Sequence, residues 1–230
     1  MTLTSLGAVV VAAGKGTRMG TRESKQYLRI GGKPVLVHTL EVLERSPLIS
    51  EVILVVGALD IEQCESYRTE YNLGKIKTII AGGDERQYSV YAGLLQASAE
   101  WALVQDGVRP FITMELIQRC YDAARETGGA VAAVPVKDTI KVADDNGEVS
   151  ATLDRSRLWA VQTPQVFRRD QLLAAHESAM ADGFLGTDDA SIAERTGIPV
   201  KLVPGDYHNI KITTPDDLLW SEYRLRGYRR

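Results

Sequence analysis

Short, nearly continuous apolar runs alternate along this chain with longer stretches whose apolar residues recur every three or four positions. The runs are Ala8–Ala13, Glu51–Val56, Ile76–Ile80, Trp101–Gln105 and Ala130–Val136. Because they lack polar alternation, they predict strands covered on both faces, as in a parallel sheet between helices. The stretches Pro34–Glu44, Leu59–Glu70, Glu85–Ala99 and Met114–Thr127 predict the helices. Such a βαβ series predicts an α/β fold: a doubly wound, mostly parallel sheet flanked by helices, forming one domain over 1–230.

The pattern changes after Val136. Lys137–Ser156 reads as two strands of period two around Asn146-Gly147, a pair that tolerates the positive φ of a tight hairpin. A lone ribbon is marginal in water, so Ile140, Val142, Val149 and Ala151 need a surface to cover them. The expectation is a protruding β-arm, 137–159, that packs on a second subunit of a homodimer; the alternative is an arm folded back on its own domain. Helical period resumes over Arg169–Met180 and Asp188–Thr196. A last helix starts at Thr214, where an N-cap Thr, Pro215 and the first-turn acids Asp216 and Asp217 coincide.

Composition narrows the function. The chain has 230 residues, 44% of them hydrophobic, and a net charge of −3 from 27 cations and 30 acids mixed along its length. No basic field points to nucleic acid or an anionic membrane, so any anion site must be local. Cys64 and Cys120 stand far apart and outside any Cys-x-x-Cys pair, which argues against a disulfide framework or zinc site and fits a reducing compartment. The N-terminal apolar run is about eight residues against the roughly 20 needed to span a bilayer. A cytoplasmic protein without signal peptide or membrane span is expected.

The local anion site is sought in "VVVAAGKGTRMG", Val9–Gly20, a glycine-rich turn directly after the first strand and hence at the ligand-binding edge of such a sheet. Gly14 and Gly16 let backbone N–H groups approach an anion. The spacing fits neither the P-loop, because Lys15 lies between the glycines, nor the dinucleotide fingerprint, because Met19 stands where the third glycine belongs. Arg18 and Lys25 follow, the latter in "SKQYL", which has no apolar period of its own and does not read as core. Lys15, Arg18 and Lys25 read as a cage for a triphosphate. His38, His176 and His208 lie in helical or strand patterns without a nucleophile partner and are expected to be structural.

"AAGKGTRMG…SKQYL" resembles the nucleotidyltransferase superfamily. With "AGGDERQYSV", "VQDGVRPF", "VPVKDTIK", "DRSRLWAVQTPQVF", "GTDDAS" and "NIKITTPDDL", the chain resembles the 2-C-methyl-D-erythritol 4-phosphate cytidylyltransferase family from near Val9 to Leu218. One departure is Gln105, where many members have histidine. The resemblance implies a cytidylyl transfer from CTP to 2-C-methyl-D-erythritol 4-phosphate, giving 4-diphosphocytidyl-2-C-methyl-D-erythritol and pyrophosphate in the non-mevalonate isoprenoid pathway, with Mg²⁺ or another divalent cation.

It also implies roles. Ala12, Ala13, Gly14, Lys15, Gly16, Gly83, Asp84, Ser89 and Asp106 would bind CTP, with Asp106 also touching a metal held mainly by the CTP phosphates. Arg109, Thr139, Arg155, Thr163 and Lys211 would bind the sugar phosphate, several of them reaching a partner's site. Arg18, Lys25 and Lys211 would face charge developing at the α-phosphate. Arg157, two positions from Arg155 and on the same face if that stretch is extended, matches no family position and is expected to be solvated. The nearest rival is a cytidylyltransferase for another polyol phosphate, such as ribitol 5-phosphate; a nucleotide-binding regulator without chemistry is a rival of another class.

Overall fold

A computed structural model describes residues 5–14 and 24–227. Strands β1 (Leu6–Ala12), β2 (Arg29–Ile30) and β3 (Lys33–Pro34) lead into helix α1 (Val35–Arg45); β4 (Ile49–Val56), α2 (Ile61–Glu70), β5 (Ile76–Ala81), α3 (Arg86–Gln96) and β6 (Trp101–Asp106) follow. Next come α4 (Met114–Thr127), β7 (Gly129–Pro135), the hairpin β8 (Lys141–Ala143) and β9 (Val149–Thr152), then β10 (Trp159–Arg168), α5 (Arg169–Ala181), α6 (Asp189–Arg195), β11 (Val200–Pro204) and α7 (Pro215–Gly227).

Seven strands form one sheet in the order β11-β7-β10-β6-β1-β4-β5. All neighbours run parallel except β10, which is antiparallel to both β6 and β7. The expected strands are present within a few residues, and the central ones are mostly apolar because both faces are covered, whereas the edge strand β5 is partly exposed. Along β1, Leu6, Ala8, Val10 and Ala12 join a core with Leu36, Leu40, Cys64, Ile117 and Cys120, from α1, α2 and α4. Val9, of opposite parity, meets Val90, Leu94, Leu172 and Ala193, from α3, α5 and α6. Among the described residues no helix is long and apolar enough to cross a membrane.

The antiparallel strand β10 was not expected, because "AVQTPQVF" is broken by polar residues and a proline. Those polar residues are inside: Gln162, Thr163 and Gln165 are all buried. The ladder with β7 shifts register between Val161 and Gln165, so the interruption falls where the strand leaves regular pairing.

The hairpin forms as expected, with Gly147 at φ 81°. Every residue from Lys141 to Leu153 is exposed, Val142 by 41% and Val149 by 62%, so the arm is not folded back on its own domain. Arg155–Arg157 is a single 3₁₀ turn rather than extended chain, so Arg155 and Arg157 do not share a face as expected; Asp154 caps that turn by accepting the Ser156 N–H at 3.0 Å. Arg157 is exposed.

Candidate active site

In a doubly wound sheet the crevice opens where consecutive connections leave a strand pair in opposite directions. Here that point lies between β1 and β6: β4 and β5 extend the sheet on one side of β1, and β6 on the other. Val11 pairs with Asp106, so the carboxylate ends β6 beside the start of the glycine-rich loop. Gly107 N–H donates to Val11 O at 2.9 Å, and a Cβ on Gly107 would stand 2.8 Å from Leu36 Cδ1 and 3.1 Å from Ala12 Cβ, so a side chain here would crowd α1 and the end of β1.

From the end of β6 a cleft of about 690 Å³ runs over β10 towards β11 and the start of α6, lined among others by Arg86, Asp106, Arg109, Gln162, Thr163 and Lys211. Asp106 is its electrostatic centre. Lys211 Nζ lies 2.9 Å from Oδ2, Arg86 Nε 3.2 Å from Oδ1 and Arg109 Nε 3.7 Å from Oδ2. Burial alone would push the Asp106 carboxyl up, but Arg86, Lys211 and Arg109 outweigh it and hold it well below the usual carboxylate range. The Asp106 N–H donates to Thr163 Oγ1 at 3.1 Å. Burial lowers the Arg109 pKa, Asp106 opposing; its Nη1 donates to Asn209 O at 2.6 Å. Thus Asp106, Arg109, Thr163 and Lys211, distant in sequence, meet in one cleft.

Sequence reasoning missed Arg86. Its guanidinium spans two buried carboxylates, with Nη1 2.8 Å from Asp189 Oδ2 and Nε on Asp106. Burial would lower its pKa, but Asp189 and Asp106 outweigh burial and raise it. Behind it, His176 Nε2 lies 3.3 Å from Asp189 Oδ1, both fully buried, which agrees with a structural histidine. The one available signal was position: Arg86 opens α3 directly after the Gly82-Gly83 turn.

The residues expected to meet the nucleobase lie where three elements approach closely. A Cβ on Gly82 would stand 2.5 Å from Ala13 Cβ and 2.6 Å from Ser89 Oγ, so the end of β1, the turn after β5 and the first turns of α3 converge. Ser89 is buried, its Oγ 3.2 Å from Glu85 O, whereas Gly83, Asp84 and Gly14 are exposed at the rim. Lys15, Gly16 and Arg18 lie outside the described residues.

Lys25 is half-buried in a turn that "SKQYL" forms against the sheet. Contrary to the expectation for that stretch, Gln26 and Tyr27 are core. Gln26 Nε2 donates to Ala12 O at 2.8 Å and Gly14 O at 3.2 Å, tying the Lys25 turn to the end of β1. Downstream, Ile30 and Val35 pack with Val108 and Ile212, the residue after Lys211. One apolar cluster thereby joins the segment that follows Lys25, the loop after Asp106 and the segment of Lys211.

Thr139 and Arg155 are not brought to this cleft. Both are exposed on the arm, where Arg155 Nη1 donates to Lys137 O at 2.6 Å. Gln105 is buried and donates to Asp106 O at 3.2 Å. His38 Nε2 lies 2.9 Å from Ile30 O, and His208 stacks on Trp220. A smaller cavity of about 380 Å³, between the β2–β3 turn and α7, contains none of the expected site residues.

A doubly wound sheet whose switch point gathers Arg86, Arg109 and Lys211 around one buried carboxylate fits the class of nucleotidyltransferase-type enzymes. Comparison with known proteins narrows the class. The chain belongs to the 2-C-methyl-D-erythritol 4-phosphate cytidylyltransferase (IspD) family, whose model matches residues 6–227. It is 49% identical to the 2-C-methyl-D-erythritol 4-phosphate cytidylyltransferase of Syntrophus aciditrophicus over 222 residues, 95% of each chain. With that of Geobacter metallireducens it shares 48% over 221 residues, 94% of this chain and 95% of the relative. The crystal structure of 4-diphosphocytidyl-2C-methyl-D-erythritol synthase from Anaerococcus prevotii superposes with a TM-score of 0.85 at 32% identity, covering 97% of this chain and 99% of the other. The cytidylyltransferase structure from Thermus thermophilus gives 0.79 at 32% identity, over 95% and 98%.

Proposed function

We propose that CTP and the sugar phosphate bind side by side at the carboxyl ends of β1 and β6, with the nucleobase toward Ala13, Gly83 and Ser89 and the phosphates toward Asp106 and the basic residues that line the cleft. The reaction is that of the family: a cytidylyl group passes from CTP to 2-C-methyl-D-erythritol 4-phosphate, and pyrophosphate leaves. The sugar phosphate oxygen attacks the α-phosphorus in line. A phosphate monoester is already an anion at neutral pH, so no general base is needed, and catalysis rests on positioning and charge stabilisation. Lys25, Lys211 and Arg18 face the developing charge; Arg109 and Thr163 hold the attacking phosphate. The observation that carries this reading is the convergence of Arg86, Arg109 and Lys211 on one buried carboxylate at the switch point.

A divalent cation, Mg²⁺ or another, accompanies CTP. Asp106 fits as its protein ligand, since its carboxyl stays ionised and lines the cleft. Among the described residues no three His, Cys, Asp or Glu side chains gather that could hold an ion by themselves. This suits an ion bound mainly through substrate phosphates. When bound, the ion neutralises phosphate charge and favours departure of pyrophosphate.

Thr139 and Arg155 act from the arm on a partner's cleft in a homodimer. The uncovered Val142 and Val149 and the distance of both polar residues from their own cleft support this. The deciding assay is pyrophosphate release from CTP and Mg²⁺ with 2-C-methyl-D-erythritol 4-phosphate, against ribitol 5-phosphate as second acceptor. Turnover with the first and little with the second is expected; equal turnover would reassign the acceptor, and none with either would leave a nucleotide-binding regulator.

A further inference from the structure

Asn209 is fully buried although it is polar and lies between β11 and α7. Burying an amide is costly unless its N–H groups are used. Its Nδ2 donates to Thr163 O at 2.9 Å and to Gln162 Oε1 at 3.2 Å. The Asn209 carbonyl accepts Arg109 Nη1 at 2.6 Å. Two residues on, Lys211 reaches Asp106, and the Ile212 N–H donates to Val108 O at 3.0 Å.

These contacts join three pieces of chain just beyond the ladder of β10 with β6, which ends at Gln165 and Val104. Residues 162–164 fall in the register gap of β10, so the β7 ladder does not orient the Thr163 carbonyl; the Asn209 amide does. Thr163 in turn accepts the Asp106 N–H through its hydroxyl. The same residue therefore sets Thr163 by its side chain, Arg109 by its carbonyl, and Lys211 by its place in the chain. An amide is the group this position requires, because two acceptors face it and only a side chain with two N–H donors satisfies both.

We infer that Asn209 is a positioning residue for the sugar-phosphate half of the active site, acting through Arg109, Thr163 and Lys211. The inference rests on the reading under Proposed function that Arg109 and Thr163 hold the acceptor phosphate and Lys211 faces the charge that develops beside it. The nucleobase residues Ala13, Gly83 and Ser89 lie on β1, the turn after β5 and α3, none of which Asn209 touches, so losing Asn209 acts mainly on the acceptor and on the step of transfer.

The test is Asn209→Asp, which keeps the shape and removes both donors. Pyrophosphate release is followed with each substrate varied in turn, and folding is checked by thermal melting. Displacing groups that align a reactant costs about 10- to 100-fold. The KM for the sugar phosphate is expected to rise by about that factor and kcat to fall, with KM for CTP held within about twofold. A merely structural asparagine would raise both KM values together or change neither, and either result overturns the inference. Should Asn209→Asp not fold, Gln162→Leu removes one of the two acceptors; it is expected to shift the same KM in the same direction by less, and no shift overturns the inference. Failure of the wild-type enzyme to turn over CTP with this acceptor would instead bring down the underlying reading, and this inference with it.

Discussion

Lys211 Nζ lies 2.9 Å from Asp106 Oδ2, although the two residues come from the segment before α7 and the end of β6. The lysine that faces the α-phosphate in the proposed reaction thus pairs with a carboxylate that also has Arg86 and Arg109 as partners. Lys211→Met preserves much of the aliphatic stem and leaves Asp106 paired, so the fold should persist. Losing a preorganised cation is expected to lower kcat by about 10²- to 10³-fold. Steady-state kinetics check this; a variant within twofold of wild type removes Lys211 from the chemistry.

Lys25 should behave similarly for a different structural reason. Its turn is fastened to the end of β1 by Gln26. Lys25→Ala is expected to reduce kcat about 10²- to 10³-fold while the melting temperature stays near that of wild type. Single-turnover measurements at saturating CTP would isolate the effect on chemistry.

Arg109→Ala should act on binding. The guanidinium is buried between Asp106 and the Asn209 carbonyl, so removing it leaves acceptors short of donors, a cost of about 1–3 kcal/mol. A lower melting temperature is expected together with a rise in KM for the sugar phosphate. Equal weakening of CTP would contradict a contact to the acceptor phosphate.

Gly82→Ala tests the opposite half of the cleft. The new Cβ would collide with Ala13 Cβ and Ser89 Oγ, and overpacking of this kind typically costs about 1–3 kcal/mol. Because Ala13 and Ser89 flank the proposed nucleobase site, CTP affinity measured by calorimetric titration should fall about tenfold or more. An unchanged CTP isotherm in a folded variant would move the nucleobase elsewhere.

The parallel strands and most helices were legible because burial on both faces leaves a continuous apolar signal, and helix starts such as Thr214-Pro215 carry their own chemistry. Strand β10 was not legible. Gln162, Thr163 and Gln165 are polar because they serve the cleft: Thr163 takes the Asp106 N–H, while Gln165 donates to Asp188 at 3.0 Å and accepts the Ala190 N–H. Function thus overwrote the strand pattern. Arg86 and Asn209 escaped for a related reason, since a buried charge or amide announces itself through partners far away in sequence, and a single chain read linearly does not reveal them.

The last prediction concerns pH, away from the cleft. Glu51 lies toward the amino-terminal edge of the sheet, where it accepts N–H bonds from Ser98 at 2.6 Å and Ala99 at 2.8 Å and pairs with Lys77 at 2.9 Å. Burial would raise its pKa, but Lys77 and these N–H donors outweigh burial and lower it. At α7, burial of Asp217 is likewise outweighed by the N–H groups of Thr213 and Thr214. A carboxylate whose folded pKa is depressed contributes stability that is fully present above its unfolded pKa, about 4, and is lost as pH falls toward the folded value. The melting temperature of the wild type should therefore hold above about pH 5 and decline below about pH 4. Glu51→Gln should melt lower at neutral pH and decline less steeply in acid, so the two curves converge, with kcat unchanged because the site is remote. Parallel curves in circular dichroism melts would show that Glu51 does not carry this linkage.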